Sequence, residues 1–148
     1  MAPVRIFAYA LGGVYLLVGI IGFLSPFLTG VSPAQGFIVT ERADLLGVFA
    51  VNWLHNLVHI LVGVAGLAAG RAIPSSRTFA QVIGWLFLLL GIVGFVVPGD
   101  LLLGILPLNP PDNVLHLLTG LVGLFFGYAP ARVAEAPEVP ASEERRRV

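Results

Sequence analysis

The sequence predicts an all-α integral membrane protein, a four-helix bundle made of two parallel tandem helix-pair repeats. Three observations predict it: the composition, four long apolar stretches and an internal repeat. The 148 residues are 57% hydrophobic and 11% charged, with a mean hydropathy of +0.96. Soluble domains carry about 25% charged residues. So few charges cannot cover a water-facing surface, which makes lipid the natural surroundings of this chain.

The four apolar stretches predict transmembrane helices over residues 6–24, 46–70 or 53–70, 79–97 and 110–127. Each is close to the roughly 20 residues that a helix needs to cross a bilayer. Residues 1–128 therefore form the predicted membrane domain. Residues 129–148 contain prolines, glutamates and a final arginine run, a composition that predicts a disordered cytoplasmic tail.

An internal repeat relates the first helix to the third and the second to the fourth. Glycines of the first and third helices coincide at an offset of 72, and Asn and His residues of the second and fourth coincide at an offset of 57. A helix pair returns the chain to its starting side, so the two repeats are parallel, related by an axis along the membrane normal. The first copy then holds a longer loop between its helices.

Small residues at helical spacing predict close packing of the helices, because they let helix backbones approach each other in a membrane. The glycines expected on these seams are Gly12, Gly19, Gly22, Gly63, Gly66, Gly84, Gly91, Gly94, Gly120 and Gly123.

The start of the second helix has two interpretations. Asn109 is a good N-cap, Pro110 fits the first helical position, and Asp112 suits the positive end of the helix dipole. By the repeat, the second helix then starts near Asn52, with Leu45–Val51 at the membrane interface or re-entering it. A helix that runs unbroken from this apolar segment is the alternative.

The arginines predict the orientation. Arg5, Arg71 and Arg77 lie before the first helix and between the second and third, and four more arginines follow the fourth helix. The other side holds only Arg42. Basic residues favour the cytoplasmic side, so both termini are expected in the cytoplasm, in a bacterial plasma membrane.

A polar cluster occupies the predicted outer ends of the second and fourth helices and includes all three histidines of the chain. Intramembrane polar residues either bond between helices or mark a functional site. The cluster consists of Asn52, His55, Asn56, His59, Asn109, Asp112, Asn113 and His116.

Three functions fit this cluster. The first is a non-enzymatic structural or interaction protein in which the Asn and His side chains join helices. The second is a metal site of His55, His59, Asp112 and His116, a ligand set that suits Zn²⁺ or Cu²⁺, or a haem held by His59 and His116. The third is a small transporter component, although no acid or base lies in the inner half of any predicted helix.

The remaining composition excludes several classes. The formal net charge is zero, so no basic field attracts nucleic acid. The chain has no cysteine, which excludes thiolate metal sites and thiol nucleophiles. We therefore expect no enzyme activity. The expected partners are the lipid bilayer and either a second copy or another membrane protein.

Two segments resemble the signatures of an uncharacterised bacterial membrane protein family, a "domain of unknown function" family common in actinobacteria. They are Leu46–His59, which contains His-Asn-Leu-Val-His, and Leu106–His116. The resemblance covers about residues 4–128 and implies four transmembrane helices in a plasma membrane. It implies no activity, substrate or catalytic residue.

Overall fold

A computed structural model describes residues 1–29, 43–99 and 101–130. Most of these residues form four helices, and a short antiparallel β-hairpin precedes each even-numbered helix. The helices are α1 (Pro3–Thr29), α2 (Trp53–Ala69), α3 (Ile73–Val96) and α4 (Pro110–Tyr128). The hairpins are β1 (Ala43–Leu45) with β2 (Phe49–Val51), and β3 (Leu101–Leu102) with β4 (Leu106–Pro107). The predicted tail lies outside the described residues, except for its first two positions.

The apolar segment before α2 forms a hairpin, so the alternative of a helix running unbroken from Leu45 is wrong. Leu46 and Gly47 have φ angles of 55° and 69°, which is left-handed backbone that a right-handed helix does not contain. Leu103 and Gly104 turn the second hairpin in the same way, with φ of 54° and 74°. Helix α2 therefore starts at Trp53, the later of the two predicted starts.

Helix α3 begins at Ile73, earlier than the predicted start at residue 79. Pro74 lies in its first turn, where its missing N–H removes no helical hydrogen bond. The Ser75 and Ser76 hydroxyls each donate to the carbonyl oxygens of Ala69 and Ala72. These polar residues are therefore satisfied within the tight connection between α2 and α3.

The glycines allow α1 to pack against α2 and α3 against α4 at backbone distance. A Cβ atom added to Gly12 would lie 2.7 Å from the Leu67 nitrogen, and one added to Gly84 would lie 2.7 Å from the Leu124 nitrogen. Gly13, the neighbour of Gly12, has nothing within 4 Å of such an atom. The close approach is therefore specific to the face that meets the partner helix.

Aromatic rings join the two helix pairs. Tyr15 of α1 stacks on Phe87 of α3 with ring centroids 5.1 Å apart, and Phe7 stacks on Phe126 of α4 at 5.2 Å. The buried core around them consists of Val4, Phe7, Ala8, Tyr15, Val62, Phe79, Ala80, Ile83 and Phe87.

Candidate metal centre

The N-termini of α2 and α4 fix the positions of the polar residues. Asn52 caps α2 by accepting a hydrogen bond from the His55 backbone nitrogen at 2.8 Å. Asn109 caps α4 through the Asp112 backbone nitrogen at 3.1 Å, and the Asp112 carboxylate accepts from the Asn109 nitrogen at 3.3 Å. This reciprocal capping box satisfies donors that a helix start leaves open.

The same two asparagines connect the two halves of the molecule. The Asn52 side chain donates to the Ile105 carbonyl in the second hairpin at 2.6 Å, and the Asn109 side chain donates to the Val48 carbonyl in the first hairpin at 2.7 Å. Each helix start is therefore bonded to the opposite hairpin, which holds the outer ends of α2 and α4 together.

Ala50 in β2 contacts His55 and Asp112, two residues of the polar cluster. Its N–H donates to the Asp112 carboxylate at 3.0 Å, and its carbonyl oxygen lies 3.1 Å from His55 Nδ1. A carbonyl oxygen only accepts, so Nδ1 of His55 carries the proton and donates it. Nε2 of this ring then presents a lone pair, the tautomer that metal-ligating histidines adopt when their other nitrogen is bonded to a carbonyl.

The three histidines converge in the protein interior. Each offers one nitrogen, and these nitrogens all lie within 4.8 Å of one another. His55, His59 and His116 are only 3%, 7% and 3% exposed. The ring centroid of His55 lies 4.3 Å from that of His59 and 6.1 Å from that of His116. This cluster could hold a metal ion.

Two of the three imidazoles have a nitrogen without a partner among the described residues. The Nδ1 atoms of His59 and His116 are buried and make no hydrogen bond. The edge of the Tyr15 ring packs against His59, and Phe87 lies beside His116, with centroid distances of 5.0 Å and 5.1 Å. Most buried polar atoms in proteins are bonded, so unpartnered imidazole nitrogens at one place indicate a ligand.

The residues fit a transition-metal ion. Zinc lies 2.0–2.1 Å from imidazole nitrogens, so tetrahedral geometry places the nitrogens roughly 3.4 Å apart. The observed separations, all within 4.8 Å, exceed that value by at most about 1.4 Å. Three neutral imidazoles with a remaining open position form a known ligand set for zinc.

The fourth predicted ligand, Asp112, is not among the three residues whose ligand atoms converge. Its Oδ2 accepts hydrogen bonds from the backbone nitrogens of Ala50 and Asn109. At position 112, the carboxylate therefore holds the hairpin and the helix start in place. The i, i+4 spacing with His116 put both residues on one face of α4 but could not reveal the backbone donors that Asp112 meets.

The remaining cluster residues, Asn56 and Asn113, pack between helices. The side-chain amide of Asn56 lies against Gly22, and that of Asn113 lies against Gly94, where an added Cβ atom would overlap the amide in both cases. Their Oδ1 atoms are buried without a conventional hydrogen bond. These amides therefore occupy the space that the two glycines provide.

The haem alternative meets an obstacle in His55. A porphyrin held by His59 and His116 would have to lie between their imidazoles. The centroid of the His55 ring lies 4.3 Å from that of His59 and 6.1 Å from that of His116. A haem there would have to displace the His55 ring.

Sequence reasoning missed the hairpins, the role of Ala50 and the place of Tyr15 beside the histidines. One signal was present: Leu-Leu-Gly occurs at residues 45–47 and again at 102–104, at the same offset of 57 that relates the asparagines. Extending the repeat backwards would have predicted two similar turns before α2 and α4. Nothing local marks Ala50, because its partners come from elsewhere in the fold.

Comparison with known proteins places the chain in one family. No match was found among curated proteins or among solved structures. A family model matches residues 5–129, which include all of α1 except its first two residues, the other three helices and the three histidines. The chain therefore belongs to the family described as "Domain of unknown function (DUF4383)".

Proposed function

We propose that this chain is a non-enzymatic, multi-pass protein of the bacterial plasma membrane that holds one transition-metal ion at His55, His59 and His116. The observation that carries the metal assignment is the convergence of three buried imidazole nitrogens to within 4.8 Å of one another. In this proposal four helices cross the bilayer, both termini are cytoplasmic, and the two helix pairs are tandem copies of one unit.

The exposed surface of the helices supports the membrane placement. Two described helical stretches, Pro3–Leu24 and Ile73–Val96, are long and apolar enough to cross a membrane, and only 33% of each apolar window is buried. A core helix of a soluble protein would be mostly buried. Leu17 and Leu89 are 58% and 59% exposed. Lipid accommodates such side chains, whereas water penalises them.

Helices α2 and α4 are short for a membrane span and need the hairpins before them to cross the bilayer. Helix α2 is 17 residues long, and α4 has 19 residues with two prolines and Asp112 in its first turn. A hairpin precedes each of them and adds length at the outer end. We therefore assign the hairpins to the interface on the non-cytoplasmic side of the plasma membrane, where each one lengthens the span of its helix.

Arginine contacts support the orientation. Arg5 donates to the Gly70 carbonyl at the end of α2 at 2.8 Å, and Arg77 donates to the Ala129 carbonyl after α4, also at 2.8 Å. Cations are stabilised at the negative C-terminal ends of helices. Both arginines and Arg71 lie at the end away from the hairpins, the end that basic residues assign to the cytoplasm.

The contacts of the two helix pairs support duplication. Arg5 and Arg77, which make equivalent bonds, are 72 positions apart. The two asparagine bonds also correspond, because both the donors and the accepting carbonyls are 57 positions apart. Glycine–asparagine packing also occurs in both pairs. Such matching contacts are expected when one two-helix unit is copied in tandem.

The ligand chemistry favours Zn²⁺ or Cu²⁺. Imidazole suits both ions, and the cluster contains no hard carboxylate ligand that Mg²⁺ or Ca²⁺ would require. Without an acid or base placed at the centre among the described residues, we assign the ion a structural or metal-handling role.

The metal assignment can be tested by titrating detergent-purified protein with Zn²⁺ and Co²⁺ and measuring bound metal and the visible Co²⁺ spectrum. We expect about one ion per chain in the wild type and none in His59→Ala/His116→Ala. Asp112→Asn is the matched control, because it alters a buried polar residue outside the cluster and should retain the ion. The metal assignment fails if the wild type binds no ion, or if the double variant binds it equally well.

The topology can be tested by cysteine labelling, since the chain has no native cysteine. Leu46→Cys and Leu103→Cys are in the exposed hairpin turns, and Ser75→Cys is exposed at the opposite end. A membrane-impermeant maleimide should label the first two in intact cells and the third only after permeabilisation. Labelling of all three in intact cells would contradict the proposed placement.

A structural or interaction role is the second candidate, favoured by the bonds between the halves and the close glycine packing. In that case the histidines join helices, and exposed apolar faces bind a second copy or another membrane protein. Its signature in the titration would be no metal in either sample together with a lower unfolding temperature of the double variant.

A further inference from the structure

A cavity of about 290 Å³ lies between α1 and α4, where the two helix pairs meet. It follows one face of α1 and ends beside the histidine cluster. Its volume is close to the lower end of the roughly 300–1,000 Å³ typical of small-molecule sites. Its lining includes Val14, Tyr15, His59, Leu115 and Thr119.

Three polar side chains interrupt the apolar lining. Tyr15 and His59 are 6% and 7% exposed. The Tyr15 hydroxyl faces the Thr119 side chain, but neither it nor His59 Nδ1 makes a hydrogen bond of ordinary geometry among the described residues. Thr119 adds a second hydroxyl. A buried hydroxyl without a hydrogen bond costs free energy, and a ligand that accepts from Tyr15 removes that cost.

A second groove shows what the polar residues add. It lies between α2 and α3, has a volume of about 650 Å³, and is lined by Ser75 and Thr78 among apolar residues. Both of these hydroxyls donate to backbone carbonyls near them, Ser75 to Ala69 and Thr78 to Pro74. The larger groove therefore offers no unsatisfied hydroxyl from these residues and suits lipid chains. The smaller cavity can recognise a polar atom.

The entrance of the α1–α4 cavity determines what can reach it. Val14 and Leu115, which line it, are 55% and 42% exposed on the helix surface that we assign to lipid. Within the part of the chain that the structure describes, no charged side chain lines it. An ion would lose its hydration without compensation, so the cavity selects uncharged molecules that dissolve in the bilayer.

We propose that this cavity binds an uncharged, membrane-soluble carbonyl compound of quinone type. Its ring lies among the apolar residues, and one carbonyl oxygen accepts a hydrogen bond from the Tyr15 hydroxyl, next to His59. A single substituted ring matches the volume, and a carbonyl oxygen matches the hydroxyl donors. This proposal rests on the membrane placement proposed above but not on the metal ion.

The test uses full-length protein in phosphatidylcholine nanodiscs and a decyl-substituted benzoquinone as the probe, with saturable binding measured by calorimetry in metal-free buffer. Tyr15→Phe keeps the ring and removes the donor, so we expect about 5- to 10-fold weaker binding, the loss of one hydrogen bond. Leu115→Trp should fill the cavity and abolish binding. Tyr128→Phe and Thr78→Val remove hydroxyls elsewhere and should bind as the wild type does.

Absence of saturable binding, or equal affinity in Tyr15→Phe, Leu115→Trp and the two controls, would overturn the cavity assignment. Its failure is distinguishable from failure of the metal assignment, because the metal titration uses no quinone and the quinone titration uses no metal. Failure of the membrane placement would be seen separately in the cysteine labelling.

Discussion

The first helix pair, α1 and α2 with their hairpin, and the second, α3 and α4 with theirs, make matching contacts between helices but differ at two positions that act on the histidine cluster. Both start the second helix of the pair with an asparagine that reaches the opposite hairpin. At the offset of 57, His55 of the first pair corresponds to Asp112 of the second, and Ala50 corresponds to Pro107. The contacts of these four residues are where the halves diverge.

The divergence produces the histidine cluster. Pro107 has no N–H, so the second hairpin cannot make the bond that Ala50 makes to Asp112. Ala50 uses its N–H for Asp112 and its carbonyl for His55. If positions 55 and 112 held the same residue, the cluster would contain either His59 and His116 alone or those two with a matching residue from each half. Breaking the symmetry adds one imidazole and fixes its tautomer through Ala50.

The largest expected effect tests the shared frame. Gly12→Leu and Gly84→Leu insert side chains where even a Cβ atom would lie 2.7 Å from a backbone nitrogen of the partner helix. Each should reduce the free energy of unfolding in detergent by about 3 kcal/mol or more, through overpacking. Gly13→Leu is the matched control, since it meets nothing within 4 Å. A control as destabilised as Gly12→Leu would mean that this helix face does not pack as described.

The next effect separates the two divergent residues. Asp112→Ala leaves the Ala50 N–H without this buried acceptor, and should cost about 1–3 kcal/mol of stability while leaving metal stoichiometry unchanged. His55→Ala should weaken metal binding. It should cost less stability than Asp112→Ala, because the Ala50 carbonyl tolerates a lost donor better than the Ala50 N–H tolerates a lost acceptor. Denaturation and metal titration of both variants check this. If Asp112→Ala loses the metal and His55→Ala retains it, the assignment of roles is reversed.

A smaller effect tests the equivalence of the helix starts. Asn52→Ala and Asn109→Ala each remove an N-cap and a bond to the opposite hairpin, so each should cost about 1–2 kcal/mol. Thermal unfolding of the two variants should give similar losses. A loss confined to one of them would show that the halves, despite matching contacts, are not equally stabilised by their caps.

The smallest effect concerns the hairpin turns. Leu46 and Leu103 adopt φ angles of 55° and 54°, which cost a non-glycine residue about 1–2 kcal/mol. Glycine relieves this strain but loses more entropy on folding. Leu46→Gly and Leu103→Gly should therefore each raise the unfolding free energy, by about 0.5 kcal/mol. Val64→Gly, at an exposed interior position of α2, is the control and should be destabilising.

Part of the site was predictable because it depends on local chemistry. Asn52 and Asn109 were recognisable as caps from the proline and acid that follow residue 109, and the glycine spacing indicated close helix faces. The ligand set was not predictable to the same degree. His55, His59 and His116 were on the expected helix faces. The bonding partner of Asp112 lies in strand β2, within a segment whose structure the sequence left open.

By itself, the sequence determined that the chain forms four helices, that asparagines cap α2 and α4, and which residues are available for chemistry. Hydropathy, periodicity and caps act over a few neighbouring positions. Only the tertiary structure decided which of these residues form a centre. Ala50 lies 62 positions from the carboxylate that binds its N–H. Contacts across such separations depend on how hairpins and helices pack in three dimensions, and spacing along the chain does not encode that packing.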